Sequence, residues 1–558
     1  MKHLKILAAV SALLLGAFAA SAQKSPETNL QHAIRTGSDL LVKLQQYYVD
    51  SLNVDSLLHL GMNYAMAGLD PYTEYYSAEE ADRFRRDASG EYGGIGIRIA
   101  TYNGQGYFTD PMEGMPAIKA GLRSGDKIIR VDTIDTRGRN GDFITKHLRG
   151  QAGTPVTITV VRPYAPDSVI TVTIERAKIV VPAVSYSAIL PGHIGYIALS
   201  TFSPDDTAEQ VRRVLEGFKA DKELKGIIFD LKDNGGGLLS QAVEIASMFL
   251  PKGSKIIEAR GRDGRLEQVY KTRQEPIFPD IPLAVLINRG SASASELFAG
   301  ALQDYDRAVL IGERSFGKGL VQSTLPMPYD GMLKLTTAKY YIPSGRLIQA
   351  LDYSHRDESG HPGYTPDSLA KTFYTAAGRP VKDGGGLQPE LRVNDTIAHQ
   401  ELIYNLLSSH YMFDYANRRY AAHQGNAPFT MTDEVWEEFV TTLPDTALHY
   451  ESRLEKGLKD LKRVAREEGS MNEATEAAFA GLSKALQRDA RQELKQARPE
   501  IERFLVPMLA ERYGFERAAT AAEDGSSGEC SIKDIFCKTD SFSFHFINHL
   551  PLLFLFTK

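Results

Sequence analysis

The spacing of apolar residues changes period along this chain, and each change marks a different architecture. Residues 28 to 85 read as helical, with Leu40, Leu41, Leu44, Tyr47 and Tyr48 recurring at helical spacing. A second helix runs from Asp55 through Ala67 and stops at Gly68-Leu69-Asp70-Pro71. Ser77 and Glu80 stand as N-cap and capping-box partner of a third, short helix. From about residue 88 the pattern alternates. Gly93 to Ile99 is a glycine-rich loop running into a strand, and Pro116 to Leu122 is a short helix with a glycine stop. Gly125 to Asp132 is a turn and a strand, Phe143 to Leu148 a helix, and Val156 to Val161 a strand. Between 180 and 395, short apolar runs such as Gly226 to Leu231 and Leu283 to Asn288 alternate with amphipathic helices over Thr207 to Ala220 and Ser240 to Phe249. Such runs suit strands covered on both faces, so this part reads as an α/β core. From about 398 to 518 the chain is helical and highly charged, with most charges expected on solvated faces.

The pattern divides the 558 residues into a leader (1–22), a helical segment (23–87), a small β-barrel with helices (88–178), the α/β core (179–395), a helical domain (396–520) and a linker with an apolar tail (521–558). The leader has a basic start with Lys2 and Lys5, an uncharged apolar run from Ile6 to Ala20, and Ala20-Ser21-Ala22 as a small-residue cleavage site. Export to a bacterial periplasm or cell envelope is expected, with cleavage after Ala22. Lysine and arginine number 64 against 70 acidic residues, for a net charge of −6 with no basic block, which argues against a nucleic-acid partner. The two cysteines, Cys530 and Cys537, are both near the end, so neither a disulfide framework nor a cysteine-rich metal site is expected.

The chemistry concentrates in two stretches, Asn288-Arg289-Gly290-Ser291-Ala292-Ser293-Ala294-Ser295-Glu296 and Gly317-Lys318-Gly319-Leu320-Val321-Gln322. A serine with a lysine base substitutes for a serine with histidine in acyl transfer. Ser291, Ser293 and Ser295 all precede or open a helix from Glu296 to Tyr305, and any of them could attack or merely cap it. Lys318 lies between two glycines, placed for close backbone approach to another segment. As a base it must be uncharged, and Phe316, Leu320 and Val321 are the apolar neighbours available to desolvate it. Gln322 could accept a hydrogen bond from the amine without holding it protonated. Asp230 to Leu239 ends a strand and opens a helix, and its glycines 235–237 can present backbone amides to an oxyanion. The scheme requires no metal or other cofactor. His355 and His361 read as surface residues.

Two resemblances sharpen this picture. The wording "GIGI", "AGLRSGDKIIRVD" and "LRGQAGTPVTITVVR" is similar to a PDZ domain. Such a domain implies a carboxylate cradle at Gly94, Ile95, Gly96 and Ile97 beside a strand that accepts a peptide by β-augmentation. The longer set "LDPYTEYYS", "FDLKDNGGGLL", "NRGSASASELFAGALQDYDRAVLIGERSFGKGLVQ" and "LKLTTAKYYIPSGRLIQ" resembles the carboxy-terminal processing, or tail-specific, proteases over roughly residues 35 to 395. That resemblance implies Ser293 as nucleophile, Lys318 as base and Gln322 as its orienting partner. It implies amides of Ala294 and of Gly236 or Gly237 as oxyanion donors, Gly236 being favoured, and Asp304 as a structural or supporting residue. Where the family has Arg-Asn-Asn-Pro-Gly-Gly, this chain has Lys232 to Gly237 without the proline. The implied architecture is an α/β protease core with an inserted PDZ domain, a helical N-terminal segment and a helical C-terminal domain.

The function so implied is serine-type endopeptidase activity on proteins or peptides with free apolar C-termini. The C-terminal helices offer a surface for a homo-oligomer, an adaptor or the envelope. The competing classes are a non-catalytic PDZ scaffold and an acyl-CoA enzyme. A trypsin-like protease would need a Gly-Asn-Ser-Gly-Gly loop, which this chain lacks.

Overall fold

The computed structural model describes residues 26–513 except 89–90, 103, 166–168, 365–367, 394–396, 424–428 and 487–488. The expected leader, both cysteines and the apolar tail lie outside the described residues.

The apolar runs of the middle region form one six-stranded sheet. Its order is Val184–Leu190, Ile194–Leu199, Gly226–Asp230, Leu283–Ile287, Val309–Gly312, Leu391–Arg392. The first pair is antiparallel and the others are parallel. Ile194–Leu199 and Gly226–Asp230 are buried at every position, as strands covered on both faces must be. The helix Ala294–Asp304 is also buried along its whole length. Phe298 anchors it in an aromatic cluster, with its ring centroid 4.8 Å from Phe229 and 6.2 Å from Phe249. Truncating such a ring costs about 3–5 kcal/mol, so this helix is a rigid base for whatever its N-terminus carries. A second sheet, not anticipated from the sequence, pairs Lys255–Arg260 with Leu266–Lys271 and with residues 339–341.

Among the described residues, 26–79 form a compact unit with Ser323–Leu335. It holds the helices Pro26–Tyr47 and Val54–Ala67. The second is capped by Asn53, whose side chain accepts from Ser56 N–H at 3.0 Å. The stop beyond it is built by Asp70, which accepts from the N–H groups of Tyr72 (2.8 Å) and Thr73 (2.9 Å). The expectation that 28 to 85 is helical fails at Glu74–Tyr76, which is a strand antiparallel to Met332–Lys334. A ladder to a distant segment, reinforced by Lys334 Nζ to Glu74 at 2.6 Å, overrides the local pattern.

Within the other unit, the PDZ-like part is a sheet in the order Arg98–Tyr102, Gln105–Thr109, Lys127–Val131, Pro155–Val161, Val169–Glu175. The helix Gly141–Leu148 packs beside it, and Asn140 caps that helix by accepting from Phe143 N–H at 2.9 Å. Arg98–Tyr102 is an edge strand of the sheet.

The C-terminal helices Gln400–Ser408, Tyr411–Ala422, Asp433–Thr442 and residues 498–513 enclose a core around Leu406, Trp436, Phe439 and Leu505. Arg453–Glu467 and Glu473–Ala485 contain no buried residue, as expected of strongly charged helices. The PDZ-like part sits on this domain. The ring of Tyr102 lies 4.1 Å from His410 and 4.8 Å from Phe413 between centroids, and Asp110 N–H donates to Glu511 at 2.6 Å.

Candidate active site

Two strand-to-helix turns meet at the carboxyl ends of neighbouring parallel strands, where open α/β sheets place their ligands. Gly226–Asp230 leads through the glycine loop into Leu239–Ala246, and Leu283–Ile287 leads through the three serines into Ala294–Asp304. Asn234 ties the turns together from a fully buried position. Its amide donates to Leu199 O (2.6 Å), while its backbone carbonyl accepts from Ala292 N–H (3.0 Å) and Ser295 Oγ (2.8 Å).

The structure separates the three serines. Ser291 is buried, donates from Oγ to Leu231 O at 2.7 Å and accepts from Asn288 N–H at 2.9 Å. Ser295 is buried and spends its hydroxyl on Asn234 O. Both fasten the turn to the neighbouring loop. Ser293 is half-buried, and its backbone adopts φ +56° and ψ −115° at the head of the helix. That conformation costs an L-residue about 1–3 kcal/mol and lifts the side chain out of the turn.

The segment bearing Lys318 lies along this turn. Phe316 N–H donates to Ser291 O at 3.0 Å. The N–H groups of Gly317 and Lys318 donate to the two carboxylate oxygens of Glu296, at 2.7 and 2.9 Å. Ser293 N–H donates to the same oxygen as Lys318, at 2.9 Å. The flanking glycines are required by close packing. A Cβ on Gly317, whose φ is +87°, would lie 2.5 Å from Ala350 Cβ, and one on Gly319 would lie 3.0 Å from Gln349 N. Tyr340 donates its hydroxyl to Lys318 O. Lys318 is half-buried and Leu320 buried, whereas Phe316 is 49% exposed and gives less cover than its sequence position promised. Gln322 Nε2 donates to Thr336 Oγ1 at 3.1 Å, which leaves its carbonyl oxygen as the acceptor end.

Glu296 had no assigned role in the sequence, although a glutamate three residues after a serine is a capping-box signal. It is fully buried, and burial pushes its pKa up to about 7 against four hydrogen bonds that favour the anion. Asn234, Ser315 and Tyr340 were likewise missed; nothing in the local pattern marks them.

For an oxyanion, Ala294 N–H is the first of the helix and has no partner within it. The two candidate glycines meet different surroundings. Gly236 packs against the serine turn, where a Cβ would sit 2.7 Å from Ala292 O and 2.9 Å from Ala294 N. Its N–H, however, donates to Asn234 Oδ1 at 2.9 Å. The neighbouring Gly237, with φ +147°, does not donate in its bridge to Phe202, where Gly236 O and Leu238 N–H make the bonds. Gly236 is thus the glycine that lies against the serine turn, where its lack of a side chain permits the close approach.

Asp304 stands apart from this constellation. It forms a buried ion pair with Arg346 at 2.8 Å and accepts from Ser344 N–H at 2.9 Å. In the PDZ-like part, Gly94 ends a strand paired to Ala177, and Ile95 and Ile97 turn their side chains into the core. The carbonyls of Ile95 and Gly96 accept from Ala117 (2.8 Å) and Met112 (3.0 Å). Their amides thus remain the polar groups that the cradle can offer a carboxylate. His355 and His361 lie in an exposed hairpin beside Asp352 and Asp357.

Comparison with known proteins agrees with this anatomy. The model for Peptidase family S41 matches residues 193–356, that for the PDZ domain 93–175, and that for "Probable PDZ-protease, C-terminal helical domain" 402–523. The carboxy-terminal-processing protease of Bartonella bacilliformis is 36% identical over 374 residues, covering 66% of this chain and 82% of the relative. A "Probable CtpA-like serine protease" of Staphylococcus aureus is 36% identical over 307 residues, covering 55% of this chain and 60% of the relative. Among solved structures, the photosystem II D1 C-terminal processing protease is 28% identical, covers 65% of this chain and 88% of its own, and gives a TM-score of 0.36. With a PDZ domain, a catalytic domain of peptidase family S41 and relatives of this extent, the chain belongs to the carboxy-terminal-processing proteases and is a serine-type peptidase.

Proposed function

We propose that this peptidase is exported, takes hold of free apolar C-termini in its PDZ domain, and cleaves peptide bonds through an acyl-enzyme on Ser293 with Lys318 as base. What carries the proposal is one shared atom: the amides of Ser293 and Lys318 both donate to the same oxygen of Glu296, so nucleophile and base ride on one anchor.

The chemistry follows from the groups in place. Uncharged Lys318 takes the proton of Ser293 Oγ as that oxygen attacks the carbonyl carbon. Ala294 N–H and a glycine-loop amide stabilise the oxyanion. Lys318 then gives the proton to the departing amine; in the second step Lys318 takes a proton from water as it attacks the ester and returns it to Ser293 Oγ as the acid product leaves. Gln322 orients the amine without adding charge that would keep it protonated. The edge strand Arg98–Tyr102 adds the substrate tail as a further strand, and the amides of 94–97 hold its carboxylate. Export is supported by the leader-like residues 1–22.

The test uses the chain starting at Gln23 and an unfolded tagged substrate made with an apolar or a charged C-terminus. The apolar-tailed version should disappear at least about tenfold faster, the discrimination expected of one filled apolar pocket. Equal rates would remove the PDZ domain from substrate selection, and binding without cleavage would make the chain a scaffold.

A further inference from the structure

Glu296 takes no proton and touches no substrate in the acyl-transfer scheme, yet its carboxylate anchors both halves of it. Its carboxylate lies fully buried where the serine turn, the base segment and the chain near Leu387 meet. It accepts four hydrogen bonds: Ser293 N–H (2.9 Å) and Lys318 N–H (2.9 Å) on Oε2, Gly317 N–H (2.7 Å) and Ser315 Oγ–H (2.5 Å) on Oε1. Ser315 Oγ also accepts from Leu387 N–H at 2.7 Å and has its O–H free to donate to the ionised carboxylate. Three of the four groups facing the carboxylate are backbone N–H donors, and the fourth is a hydroxyl that donates to the anion.

An ionised carboxylate has about four lone-pair sites and offers no proton, so only the anion satisfies all four. Of these four groups a protonated carboxyl can give its O–H only to Ser315 Oγ, whose own O–H then loses its acceptor. An amide nitrogen accepts nothing, so its NH₂ would face at least one N–H group. The charged side chains on these segments are Arg289 on the serine turn, Glu313, Arg314 and Lys318 on the base segment, and Lys382, Asp383 and Glu390 around Leu387, with Lys232 and Asp233 on the adjoining glycine loop; Arg289 and Glu313 pair with each other at 3.5 Å.

We infer that Glu296 is a positioning residue for the reaction: its anion staples the nucleophile turn to the base segment, and the Ser293–Lys318 spacing is lost when that anion is lost. The inference rests on the reading of Ser293 and Lys318 as nucleophile and base. Burial pushes the Glu296 pKa up to about 7, so the staple titrates in the range where the enzyme can be assayed.

The experiment compares wild type, Ser293→Ala, Glu296→Gln and Ser315→Ala on an apolar-tailed substrate across pH, with thermal unfolding of each. Wild type must cleave and Ser293→Ala must not; cleavage by Ser293→Ala overturns the underlying active-site reading and the staple with it. Given that control, Glu296→Gln should lose about 100-fold or more in kcat, the scale of an ångström-sized misplacement, with KM within about twofold. On the acid side, log kcat should fall with a limiting slope of two in wild type, because both Lys318 and Glu296 take up a proton. It should fall with a slope of one in Glu296→Gln. A kcat within about threefold of wild type, or an unchanged slope, overturns the inference. If Glu296→Gln does not unfold cooperatively, Ser315→Ala decides. It removes one bond that favours the anion, so the acid limb should move to higher pH, and an unmoved limb overturns the inference.

Discussion

Ser291, Ser293 and Ser295 differ in what their hydroxyls hold, and composition cannot express that difference. Two of them are fasteners, bonded to carbonyls of the adjoining loop. The third occupies a backbone conformation that L-residues avoid. The consequences for stability and activity should be opposite. Ser291→Ala leaves the buried Leu231 carbonyl without its hydroxyl donor and the part-buried N–H of Asn288 without its acceptor, and should cost about 1–3 kcal/mol of unfolding free energy, while cleavage survives. Ser293→Gly should unfold at a higher temperature than Ser293→Ala, by about 1 kcal/mol, because glycine sheds the strain at φ +56° and repays part of it in chain entropy. Calorimetry of the three variants checks both; a Ser293→Gly less stable than Ser293→Ala would contradict the strained nucleophile. The serine turn, the lysine between glycines and the glutamine were legible as candidates, and the family resemblance ordered them. Glu296 was legible only as a cap. Its four donors come from both the serine turn and a segment some twenty residues on, which no local pattern brings together.

The glycine loop shows the same division between pattern and packing one level up. Three successive glycines read alike in sequence, yet they meet different surroundings. A Cβ on Gly235 would touch nothing, whereas one on Gly236 would collide with the serine turn at a φ of +99°. Gly235→Ala should therefore keep activity within a few-fold, and Gly236→Ala should lose about 100-fold or more as the two turns are pushed apart. Steady-state cleavage rates check this, and equal effects would mean the loop does not pack as described. The strands of the central sheet were legible because burial on both faces leaves an unbroken apolar run, as in Gly226–Asp230. Glu74–Tyr76 and Lys255–Arg260 were not. Glu74–Tyr76 is half-buried throughout, Lys255–Arg260 mixes buried Ile256, Ile257 and Ala259 with half-buried residues in no strict alternation, and both pair with Met332–Tyr341, far along the chain.

For the whole molecule, the order of PDZ domain, catalytic domain and helical domain was legible from wording alone, but the seat of the PDZ domain was not. That seat is made of side chains from distant segments. Tyr102 packs on His410 and Phe413, and Asp110 N–H reaches Glu511 across 401 residues of sequence. Burial pushes the Glu511 carboxyl up and the His410 imidazole down from their ordinary values, so the contact is a desolvated one. The edge strand Arg98–Tyr102 ends at this seat, so the strand proposed to capture substrate also carries the ring that anchors the domain. The central claim nevertheless lives at the two turns. Its most direct test follows cleavage of an unfolded, apolar-tailed protein by wild type, Ser293→Ala and Lys318→Ala, with mass spectrometry of enzyme quenched in acid during turnover. Cleavage by wild type alone is predicted, with an acyl adduct on the peptide containing Ser293. Turnover by either folded variant, or an adduct on Ser291 or Ser295, would contradict it.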